Sequence, residues 1–70
     1  MSDEIITVNG APRPYRPQTV RELLLECGID PERPAVAVAL NGAIALRADW
    51  AALALRPGDR IEIVRPLGGG

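Results

Sequence analysis

The 70-residue chain has no histidine, no lysine and no phenylalanine. Without histidine it lacks the commonest general base and metal ligand. Without lysine it can form no Schiff base, offers no P-loop lysine and has no side-chain acceptor for isopeptide chains. All eight cations are arginines. Cys27 is the single cysteine, which excludes an internal disulfide and a structural zinc site. So small a domain without disulfides points to a reducing compartment. The net charge of −1 gives no basic footprint for nucleic acid. No apolar run reaches the ~18 residues of a membrane span. The opening "MSDEIITVNG" carries acids where a signal peptide carries positive charge. These absences describe a soluble, cytoplasmic protein with neither a nucleic-acid nor a membrane partner, and with no metal site.

What is present reads as one small domain of short alternating elements. Glu4 to Val8 is rich in β-branched residues and reads as a strand. Asn9-Gly10 signals a tight hairpin, because both central residues of a type I′ turn need positive φ. The return strand "APRPYR" contains Pro12 and Pro14, which lack ladder donors, so it must lie at a sheet edge. Thr19 and Glu22 form a capping box. Val20, Leu23, Leu24 and Cys27 then share one apolar helix face. Gly28 suits the left-handed position that closes the helix, with Ile29 as the accompanying contact.

Val36 to Leu40 reads as a third strand, Asn41-Gly42 as a second tight turn and "AIALR" as its partner. "ADWAALAL" reads either as a helical turn capped by Asp49 or as an irregular connection, with Trp50 over a core edge. "RPGD" places Pro57 and Gly58 at the centre of a type II turn. In the last strand Ile61 and Ile63 share one face, and Arg60, Glu62 and Val64 the other. The expected architecture is α+β: a mixed sheet of four to five strands covered by one helix. The domain is expected over residues 1–66, followed by a flexible glycine tail over 67–70.

Few side chains offer chemistry. Cys27 lies on the apolar helix face with no base to activate it, and reads as a small buried hydrophobe. Asp49 and Asp59 sit in turn chemistry that explains them locally. The glycines of "LGGG" follow a strand but precede no helix, which excludes a phosphate loop. A glycine run has another use. It passes through a channel too narrow for side chains and lets another backbone approach closely. The group it would carry is the carboxylate of Gly70, which becomes electrophilic once esterified to AMP.

"VALNG" (Val38 to Gly42), "GDRIEIV" (Gly58 to Val64) and the terminal glycines together resemble the thiamine-pathway sulfur carrier family, ThiS. The resemblance spans essentially the whole chain. It implies a β-grasp, ubiquitin-like fold and a carrier rather than an enzyme. It also implies three kinds of partner: a ThiF-type adenylyltransferase, thiazole synthase ThiG, and a sulfur donor such as a cysteine desulfurase. No cofactor is held; ATP is used by the adenylyltransferase, and the product is a 1-thioglycine at Gly70. Gly69, Gly68 and Leu67 would guide the tail. Members commonly end in two glycines, whereas this chain has three. The alternatives are the small subunit of molybdopterin synthase, a sulfur carrier of another pathway and a ubiquitin-like modifier. Val64 and Leu67 are the expected docking contacts.

Overall fold

The computed structural model describes residues 4–65. The expected division near Pro66, with a tail over 67–70, lies outside the described residues. The described chain forms β1 (Ile5–Val8), β2 (Ala11–Pro14), α1 (Val20–Glu26), β3 (Ala37–Leu40), β4 (Ala43–Ala45), a 3₁₀ turn (Arg47–Asp49) and β5 (Arg60–Val64). The strands make one sheet in the order β2-β1-β5-β3-β4. β1 runs parallel to β5, and the other pairs are antiparallel. The last strand in sequence is therefore the middle strand in space.

Both Asn-Gly pairs adopt the conformation their sequence demands, with φ of 51° and 82° at Asn9-Gly10 and 52° and 85° at Asn41-Gly42. The β2 edge is shorter than "APRPYR" suggests. Pro14 ends it, although the Tyr15 N–H still reaches the Glu4 carbonyl at 3.0 Å.

Helix α1 begins at Thr19, whose side chain accepts from the Glu22 N–H at 3.2 Å while the Glu22 carboxylate accepts from the Thr19 N–H at 2.8 Å. It closes at Gly28, φ 77°, with Ile29 N–H on Leu24 O at 2.9 Å and Gly28 N–H on Leu25 O at 3.0 Å. That pair of bonds is a Schellman cap. A helix of seven residues is too short to persist alone and depends on its buried face. Val20, Leu23 and Leu24 supply that face, against a core that includes Ile6, Val38, Ile61 and Ile63. Cys27 departs from the expectation of burial: it is half-buried at the rim, and Arg13 Nη1 donates to its sulfur at 3.3 Å.

"ADWAALAL" is not a helix. Trp50 and Leu55 are both buried, and a spacing of five residues cannot serve one helix face. After the 3₁₀ turn the chain instead lies along the start of α1, with Val20 N–H on Leu53 O at 3.0 Å and Leu55 N–H on Gln18 O at 2.9 Å. Asp49 does not cap the turn; it is the turn's last residue, and its N–H donates to Leu46 O.

Arg47 ties this turn to the loop before β3. Its guanidinium donates to the carbonyls of Pro31, of Arg33 at 2.7 Å, of Pro34 at 3.3 Å and of Val36 at 2.9 Å, and it lies 4.6 Å over the Trp50 ring. Loop carbonyls outside a ladder need donors, and a planar guanidinium offers five. Arg47→Ala is expected to lower the unfolding free energy by about 2 kcal/mol. Arg47→Lys should recover only part, because an ammonium lacks the fork. Urea denaturation checks both.

Candidate functional site

The candidate site is built outward from β5. Its alternation leaves Ile61 and Ile63 buried and Arg60, Glu62 and Val64 exposed, as the sequence pattern predicts. Of the expected site residues, Val64 is described: it is 65% exposed and opposite Ala37 of β3. Leu67, Gly68, Gly69 and Gly70 lie outside the described residues, so the structure gives no geometry for them.

Val64 does not stand alone on the outer face. Ala39 of β3 faces Ile44 of β4, which is 75% exposed, and Leu46, one residue beyond β4, is 63% exposed. The register puts Ala37 beside Val64 and Ala39 beside Glu62, so small side chains separate the large ones. The result is an apolar strip of Val64, Ile44 and Leu46 over an alanine floor, beside the end of β5. Exposed apolar residues that cluster in this way mark contact surfaces, whereas single ones carry no message. The sequence pattern places Val64 on the outer face, as the structure has it, but does not single out Ile44 and Leu46. The signal was available in "AIALR": Ile44 and Leu46 share a parity, and burial of Ala45 turns both outward.

Two asparagines grip β5, Asn41 where the strand begins and Asn9 near its end. Asn9 Oδ1 accepts the Ile63 N–H at 2.7 Å, and Asn9 Nδ2 donates to the Ile63 carbonyl at 3.3 Å. Asn41 Oδ1 accepts the Arg60 N–H at 2.8 Å, and Asn41 Nδ2 donates to Asp59 Oδ1 at 2.9 Å. The other oxygen of Asp59 accepts the Arg56 N–H at 2.7 Å. Both oxygens of this buried carboxylate thus hold turns, which is the structural role its position in "RPGD" suggests.

A pocket of about 270 Å³ lies away from the strip, lined by Arg13, Pro14, Arg16 and Glu26. Arg13 and Arg16 both pair with Glu26. Among the described residues no cluster of histidine, cysteine, aspartate and glutamate is arranged to hold a metal. What this surface offers among the described residues is an apolar strip beside the end of β5.

Three comparisons bear on this arrangement. The model of the ThiS family matches residues 6–70. The sulfur carrier protein ThiS of Thermus thermophilus is 38% identical over 66 residues, covering 94% of this chain and 100% of that protein. A crystal structure of the thiamine biosynthesis protein ThiS from Geobacter metallireducens aligns with a TM-score of 0.75 at 32% identity, over 94% of this chain and 99% of that one. A solution structure of a thiamine biosynthesis protein from the same organism aligns with a TM-score of 0.74 at 32% identity, over 94% and 87%.

The strip is expected to be dispensable for folding. Val64→Asp and Ile44→Asp should each change the unfolding free energy by no more than about 1 kcal/mol, the range for exposed strand positions. Thermal and urea denaturation of both variants measures this directly.

Proposed function

The chain belongs to the ThiS family of β-grasp sulfur carriers in thiamine biosynthesis, and from that membership we propose that it carries sulfur on the C-terminal carboxylate of Gly70. The proposed cycle has three steps. In the first, a ThiF-type adenylyltransferase binds the chain and ATP. The Gly70 carboxylate attacks the α-phosphorus, pyrophosphate leaves, and an acyl-adenylate forms. In the second, the terminal sulfur of a cysteine desulfurase persulfide attacks the acyl carbon and displaces AMP. A thiol then cleaves the resulting acyl disulfide, which frees the thiocarboxylate and leaves a disulfide between the two thiols. In the third, thiazole synthase ThiG takes the sulfur into the thiazole ring and the carboxylate returns.

On this reading the chain contributes no general base and no bound cofactor. Its contribution is reach and fit. Gly68, Gly69 and Gly70 supply a tail without side chains, which suits a narrow active-site channel. Leu67, Val64, Ile44 and Leu46 supply the docking contacts beside it. The single observation that carries the reading is that the family match runs through residue 70, across the whole glycine tail. The named relatives are thiamine proteins, which favours that pathway over molybdopterin synthesis.

The test is ATP–pyrophosphate exchange by a ThiF-type enzyme. Exchange should depend on this chain, vanish when residues Gly68 to Gly70 are removed together, and persist in Cys27→Ala. Removal of Gly68 alone leaves a two-glycine end and should retain exchange. In the same assay Val64→Asp and Ile44→Asp should weaken binding to the adenylyltransferase by about tenfold or more. Exchange that survives loss of all three glycines would contradict the proposal, and unchanged affinity in both strip variants would remove the docking assignment.

A further inference from the structure

Asn9 has a job that its turn does not explain. A type I′ turn accepts glycine at its first central position as readily as asparagine. Yet the Asn9 side chain spans 54 residues of sequence to reach Ile63. The reason lies in the register. β1 pairs with β5 at Thr7 with Arg60 and Val8 with Ile61, and then the chain turns back at Asn9-Gly10. On that side of β5 the backbone ladder would stop at the Asn9 N–H, which donates to Ile61 O at 2.9 Å. Ile63 would be left with an open N–H and an open carbonyl. The Asn9 carboxamide fills both, acting as one extra peptide group at the end of β1.

We propose that Asn9 is a positioning residue for sulfur loading: it holds the last turn of the β5 ladder closed so that the tail starts from a fixed root. This rests on the carrier reading above. After Ile63 the described chain contains only Val64 and Arg65. Release of Ile63 and Val64 from the sheet would lengthen the tether between the docked face and the Gly70 carboxylate by about 3.3–3.6 Å per residue. A longer, looser tether lowers the effective concentration of the carboxylate in the partner's site. Ile44 and Leu46 sit on or next to β4, outside that tether, so of the three strip residues only Val64 is loosened with it, and docking is affected less than the rate of the bound complex.

The protein contains its own control. Asn41 has the same residue type, the same conformation and an equivalent grip on β5, but at Arg60, where the strand begins. Asn9→Gly and Asn41→Gly each preserve a glycine-compatible turn and remove one grip. Asn9→Asp is a milder variant that keeps the acceptor for the Ile63 N–H.

The experiment measures single-turnover adenylation at saturating ThiF-type enzyme, alongside hydrogen exchange at the Ile63 amide. Asn9→Gly should exchange Ile63 faster and slow adenylation by about tenfold with little change in KM. Asn9→Asp should fall between it and the unaltered chain. Asn41→Gly should leave the rate unchanged. Equal slowing by Asn41→Gly, or a normal rate in Asn9→Gly, overturns the proposal, because stability alone would then account for the side chain. If the unaltered chain is not adenylated at all, the carrier reading fails and the positioning role with it. An unchanged Ile63 exchange in Asn9→Gly would refute the anchor independently of any partner.

Discussion

The pairing of β5 between β1 and β3 is the constraint on which the rest of the structure depends. The strand is made last and sits in the middle, so the sheet is two separate hairpins until β5 joins them. Its inner residues, Ile61 and Ile63, enter the same core as Val20, Leu23 and Leu24 of the helix. A strand in this position must form contacts far apart in sequence, which are entropically slow to close. The two asparagine turns present carboxamides that bond to the β5 backbone at its start and near its end. Near its end β5 is held on one side by β3 and on the other by the Asn9 carboxamide.

Polar side chains tie several loops of this small domain together. With no disulfide and few aromatic residues, the loops are tied by side chains bonded to backbone. Arg47 gathers the carbonyls of the loop before β3, Asn9 and Asn41 extend the central ladder, and Asp59 fixes the turn into β5. Each brings a donor or acceptor to a backbone group that the sheet ladder and helix leave without a backbone partner. The exposed salt bridges of Arg13, Arg16 and Arg21 with their glutamates add little beside these.

Much of the fold was legible in the sequence where the rule is local. The capping box at Thr19, the Schellman close at Gly28, both Asn-Gly turns and the alternation in β5 each follow from a few adjacent residues, and each is present. What was left open or missed has a different cause. Whether "ADWAALAL" coils or lies along the helix depends on the burial of Trp50 and Leu55 together. The partners of Arg47 and Asn9 lie far away in sequence, and no spacing rule reaches them. Ile44 and Leu46 joined the candidate site only once burial of Ala45 fixed which way β4 faces. Cys27 lies at the rim, where Arg13 from β2 reaches its sulfur, a contact 14 residues away that no helix pattern signals.

On the proposed reading, function is carried by a surface and the C-terminal glycines rather than by a cluster of reactive side chains, and the catalytic groups belong to the partners. The described domain offers an apolar strip beside the end of β5. The central claim is that Gly70 is the sulfur-bearing atom's attachment point, and intact and tandem mass spectrometry test it most directly. After incubation with a ThiF-type adenylyltransferase, ATP, a sulfur donor and a thiol reductant, the chain should gain the mass of one sulfur in place of one oxygen, with fragments assigning the change to Gly70. Sulfur found on Cys27, or an unmodified chain, would contradict the account.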